Sequence, residues 1–140
     1  LPFITGGSGS GGLQTGQQLD YAQVTSNTVV SVTNVLLVQG GSVTYDGNTR
    51  IKLEFYACGY SVSNTTLFIK LYESGFLTYL IQMANTSGFN FAGGTAATFL
   101  TPTAGAHSYA VFGFSDNTAT VLAGTGSGDN APSYLRITKA

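Results

Sequence analysis

Residues 50–57 read Arg-Ile-Lys-Leu-Glu-Phe-Tyr-Ala, with Ile51, Leu53 and Phe55 on one side and Lys52, Glu54 and Tyr56 on the other. A period of two marks a strand with one buried face. Leu67, Ile69 and Leu71 repeat the pattern against Phe68, Lys70 and Tyr72. Further strand-like segments fall at 19–25, 27–33, 35–39, 42–45, 76–84, 95–101, 107–114, 119–123 and 133–139, mostly separated by Gly, Asn, Asp or Pro. Asp46-Gly47-Asn48 is a turn of the Asp-Gly kind that favours hairpins, and Glu73-Ser74-Gly75 turns the chain again. No segment sustains a 3.6-residue period with helix caps, and no internal repeat points to a propeller or solenoid. Short strands punctuated by turn residues predict an all-β, antiparallel β-sandwich, and their number favours a jelly roll.

The first 18 residues differ from the rest. Gly6 to Gly12 is a Gly/Ser tract that predicts a flexible N-terminal arm, preceded by the apolar tag Leu1, Pro2, Phe3 and Ile4. A greasy tip on a flexible tether is a candidate attachment arm; the bland alternative is a tail or a linker. The predicted division is thus an arm at 1–18 and a jelly-roll domain at 19–140.

Only 8% of the 140 residues are charged, against about 25% in an average soluble domain. Hydroxyls, amides and backbone must therefore cover much of the surface. The net charge of −1, with five basic residues scattered at Arg50, Lys52, Lys70, Arg136 and Lys139, leaves no footprint for nucleic acid and no polybasic membrane patch. No apolar run approaches the roughly 20 residues of a membrane helix.

The chemical motifs are weak. Gly7 to Gly12 matches G-x-G-x-x-G, but no apolar strand precedes it and no helix pattern follows. His107 is the lone histidine, and its neighbour Ser108 faces the other way on a strand, so the two do not form a nucleophile and base. Cys58 is unpaired and reads as a small buried apolar residue. The six carboxylates show no metal-ligand spacing. No cofactor, no metal and no enzymatic activity are expected.

The aromatic residues carry more information. Tyr56, Phe68, Tyr72, Phe112 and Phe114 occupy alternate positions opposite the aliphatic rows. If the aliphatic face fills the core, these rings need a second home. A subunit interface is the natural one, because Phe and Tyr are enriched there; the alternative is a reversed face assignment with the rings in the core.

Five segments together carry a family resemblance: Val43-Thr44-Tyr45-Asp46-Gly47, residues 50–57, Leu71-Tyr72-Glu73-Ser74-Gly75, residues 100–109 and residues 131–138. Over 19–140 the chain resembles small phage-encoded C-terminal domains of tail-fibre, head-fibre and decoration-type proteins, with a jelly roll like that of the C1q/tumour-necrosis-factor group. The resemblance rests on structural turns and implies a homotrimer, a virion location on the particle surface, and other virion proteins as partners. The expected function is a non-enzymatic virion structural subunit. Two alternatives stay open: a carbohydrate- or receptor-binding knob that grips a host-surface glycan, and a subunit of an extracellular filament.

Overall fold

A computed structural model describes residues 13–62, 65–86, 93–125 and 130–140. Among these residues there is no helix, and eleven strands follow one another: β1 (Gln18–Val24), β2 (Thr28–Val30), β3 (Val35–Tyr45), β4 (Ile51–Ala57), β5 (Gly59–Val62), β6 (Thr65–Glu73), β7 (Phe76–Thr86), β8 (Gly94–Leu100), β9 (Gly105–Ser115), β10 (Ala119–Leu122) and β11 (Ser133–Lys139). Every pairing is antiparallel.

Two four-stranded sheets form the sandwich, in the orders β1-β11-β4-β8 and β3-β9-β6-β7. Along the chain the long strands alternate between sheets, and only β6 and β7 stay together as a hairpin. That wrapping is a jelly roll, as the strand pattern predicts. The short strands β2, β10 and β5 form a third sheet whose order repeats β3-β9-β6. Each is a chain neighbour of its counterpart, so this sheet extends the second one past a bend. Hydrogen bonds from Ser115 N to Ser31 O (2.9 Å) and from Asp116 N to Thr66 O (3.3 Å) span the bend.

The core lies between the two large sheets. Ile51, Leu53 and Phe55 of β4, with Leu135 and Ile137 of β11, face Leu67, Ile69 and Leu71 of β6 and Tyr109 and Val111 of β9. All of these are 2% exposed or less, so each contributes about 1.5–3 kcal/mol relative to an exposed side chain. The aliphatic rows therefore point inward on both strands, as their alternation predicts.

Local expectations fail at three places. Asp46-Gly47-Asn48 does not close a hairpin; it carries the chain from β3 in one sheet to β4 in the other. The Asp46 carboxylate organises this arch by accepting the amides of Asn48 and Thr49, both at 2.7 Å, which holds its carboxyl below the usual range. Segments 35–39 and 42–45 are one strand, with a register shift between Gln39 and Ser42. There Gly41 N donates to Asp20 Oδ2 at 2.8 Å, and a Cβ at Gly40 would stand 2.7 Å from that same oxygen. The third case is Cys58, which is half-buried rather than buried and donates weakly to Leu122 O at 3.4 Å.

The sandwich begins at Gln18, with Gly16 N and Gln17 O already bonded to Lys139 at 2.8 and 2.9 Å. The arm expected at 1–18 thus meets the fold before its end. Its apolar tag Leu1, Pro2, Phe3 and Ile4 lies outside the described residues.

Candidate functional site

With the aliphatic rows turned inward, each large sheet has an outer face, and the two faces differ in chemistry. On β3-β9-β6-β7, register places three rows side by side. Phe114, Phe68 and Met83 form one row; Leu36, Phe112, Lys70 and Leu80 the next; Gln39, Ala110, Tyr72 and Leu77 the third. Cross-strand ring contacts join Phe68 to Phe114 (centroids 5.9 Å apart) and Tyr72 to Phe112 (4.6 Å). Such pairs contribute roughly 0.5–1.5 kcal/mol beyond their buried area.

Lys70 is the one charged side chain in these rows, and its ammonium sits 4.6 Å above the Phe114 ring. Asn34 reaches onto the face, donating to Tyr72 Oη at 2.8 Å and accepting from Lys70 Nζ at 3.4 Å. A shallow apolar depression of about 230 Å³ opens between Phe68, Lys70, Leu77, Leu80 and Phe114. Leu77, Leu80 and Met83 are each more than half exposed. Large apolar side chains so gathered and left open are unusual on an isolated domain.

Four of the five candidate interface residues, Phe68, Tyr72, Phe112 and Phe114, therefore share one face. Tyr56 does not join them: it lies on β4, in the opposite sheet. The parity of its strand assigns it outward, but parity does not say which sheet a strand enters. Leu36, Leu77, Leu80 and Met83 complete the face and escape the sequence reading. For Leu77, Leu80 and Met83 the signal was a β7 segment (FLTYLIQMA) apolar at both odd and even positions, more than one core face can absorb; Leu36, on β3, had none.

The outer face of β1-β11-β4-β8 is aromatic and charged. Tyr21, Tyr134 and Tyr56 stack in a row across β1, β11 and β4, with centroids 5.5 and 5.3 Å apart. Beside them Glu54 lies opposite Arg136, and Lys52 lies opposite Thr138 on one side and Phe99 on the other. Arg136 donates through Nε (3.2 Å) and Nη2 (3.1 Å) to Glu54 Oε2, and Lys52 Nζ lies 3.0 Å from Oε1. Burial pushes the Glu54 carboxyl up, but the hydrogen bonds and charges of Lys52 and Arg136 outweigh it and hold it below the usual carboxylate range.

Arg50 lies over the Phe99 ring, 4.9 Å from its centroid. Basic residues that look scattered in sequence are thus gathered: Arg50, Lys52, Arg136 and Lys139 line one open groove of about 620 Å³.

His107, at the start of β9, is held by the loop before it. Its Nε2 lies 3.0 Å from Thr103 O and 3.2 Å from Thr103 Oγ1, and its Nδ1 is 3.9 Å from Glu73 Oε1. Glu73 also accepts the Tyr109 hydroxyl, and burial, followed by this bond, pushes the Tyr109 phenol well up. The histidine ties the 101–104 loop to the β6–β7 hairpin. Among the described residues, no three His, Cys, Asp or Glu side chains converge as metal ligands would.

No family model and no curated protein matches the chain. Among solved structures, it is similar to the C-terminal CBM6 of LamC, a marine laminarinase from Zobellia galactanivorans. Identity is 11% over 81% of this chain and 99% of that one, with a TM-score of 0.35. At that distance nothing about ligand or role passes to this chain, and the jelly-roll assignment rests on its own strand order.

Proposed function

We propose that the chain is a non-enzymatic structural subunit of a virion, a decoration, head-fibre or tail-associated protein that assembles as a homotrimer on the particle surface. The carrying observation is the apolar outer face of β3-β9-β6-β7, where Leu77, Leu80 and Met83 stand open around the Phe68–Phe114 and Tyr72–Phe112 pairs. Burying such side chains is worth about 1.5–3 kcal/mol each. A second copy suits this face better than a charged partner does, because the three rows hold one charge and that charge already sits over the Phe114 ring. Copies related by a closed symmetry can cover the face on every subunit, and the three-fold order is what the family resemblance implies. The tag at Leu1–Ile4 would then attach the trimer to other virion proteins.

Immunogold electron microscopy of purified particles with an antibody to this chain tests the location. Labelling at regular positions on the particle is expected; label only in the particle-free fraction contradicts the proposal.

A second reading, a carbohydrate-binding knob, is favoured by a separate observation on the opposite sheet: the tyrosine row beside an open groove. A row of tyrosines offers apolar ring surface and hydroxyls to sugar rings, and both roles fit on one trimer.

A further inference from the structure

Resting on that second reading, we infer that the outer face of β1-β11-β4-β8 binds an acidic saccharide, a sugar chain bearing carboxylate or sulfate groups. Four cations, Arg50, Lys52, Arg136 and Lys139, line the groove against one carboxylate side chain, Glu54. The face therefore carries excess positive charge on a chain whose net charge is −1.

Glu54 orients the cations without consuming them. Arg136 commits Nε and one Nη2 proton to it, leaving the rest of a guanidinium fork that has five N–H donors. Arg50 has no carboxylate partner among the described residues, and its plane is fixed by Phe99. A preset, unpaired guanidinium is suited to bidentate recognition of a carboxylate or sulfate.

The neighbouring surface supplies what a bare anion would not need. The Tyr21–Tyr134–Tyr56 row runs across three strands with its rings stacked on one another, and Arg136 bridges it to the groove, 5.7 Å from the Tyr134 centroid. Thr15, Gln18 and Thr138 add hydroxyls and an amide to the groove lining, donors and acceptors that match sugar hydroxyls. A nucleic acid, by contrast, is held chiefly by long runs of phosphate contacts, for which four cations are few.

Titration calorimetry on the full chain tests the inference with four probes: hexagalacturonate, neutral maltohexaose, sodium sulfate and the oligonucleotide dT6. Only hexagalacturonate should bind measurably, and more weakly as salt rises from about 50 to about 500 mM. Arg50→Ala and Tyr134→Ala should each weaken it roughly tenfold, the loss of one charge-assisted contact or of the ring that holds the tyrosine row together beside Arg136. Lys70→Ala, on the opposite sheet, should leave it unchanged.

Equal binding of maltohexaose overturns the charge inference and leaves a saccharide site standing. No binding of either sugar overturns both. Equal binding of sulfate or dT6 reduces the face to a general anion patch and overturns the proposal. So does a change in oligomeric mass on Arg50→Ala, which would make this face a subunit contact.

Discussion

Gly113 sits on β9 with its inner side against Val30, and adding one methyl there should unsettle the bend that joins the second and third sheets. A Cβ at Gly113 would stand 2.8 Å from Val30 Cγ2 and 3.2 Å from Cγ1, with Leu37 Cδ1 at 3.5 Å. Carbon atoms pack best at about 3.5–4.0 Å, so both valine methyls are too close while the leucine is not. Val30 is fully buried, and a β-branched side chain has few rotamers to retreat into. Overpacking of this kind costs about 1–3 kcal/mol. Restricting the unfolded chain returns roughly 0.4–1 kcal/mol, so Gly113→Ala should destabilise by a net ~1–2 kcal/mol.

Val30→Ala alone should cost about 1.5–3 kcal/mol through lost burial. In the double variant the new methyl enters the space the valine vacates. The two changes should then be less than additive by on the order of 1 kcal/mol. The assay is urea unfolding of all four proteins followed by tyrosine fluorescence, at one fixed protein concentration because assembly adds to apparent stability. A Gly113→Ala protein as stable as the parent, or an additive cycle, would refute the close contact.

Three further outcomes follow from other parts of the molecule. Leu53 is 2% exposed, so Leu53→Ala should cost about 2–5 kcal/mol in urea unfolding, several times more than Lys52→Ala on the opposite side of the same strand; equal losses would contradict the inward row. Because Glu54 has a lowered folded-state pKa, its stabilisation is present above the ordinary glutamate value of about 4.3 and is lost as pH falls through the folded value, so Glu54→Gln should flatten the acid limb of the stability curve, whereas an unchanged limb would contradict the network with Lys52 and Arg136. Removing residues 1–12 should leave the melting temperature unchanged and abolish incorporation into particles; normal incorporation would show that the tag is only a tail.

The sequence reading succeeds where the physics is local. Period-two alternation on β4 and β6 identifies both strands and their buried sides, because a strand's two faces are fixed by pleat alone. It fails where pairing between distant segments decides. Arg136 faces Glu54 across 82 positions, so the gathering of cations on one groove has no local signature. The Asp46–Asn48 turn has hairpin chemistry, yet the chain leaves it for the other sheet. Tyr56 shares the parity of Phe68 and Tyr72 on their own strand but not their sheet. Gly40-Gly41 looks like a break, and becomes a bulge where Asp20, 21 residues before Gly41, takes the Gly41 amide.

The central claim is self-assembly through the apolar face, and multi-angle light scattering of the full chain at micromolar concentration tests it most directly. Leu80 is 56% exposed in the isolated subunit, so Leu80→Asp should leave the fold intact by circular dichroism while placing a charge in the contact. The account predicts three times 14.5 kDa for the parent chain and 14.5 kDa for the variant. A parent chain at 14.5 kDa, or a folded variant that keeps the parent's mass, would contradict it.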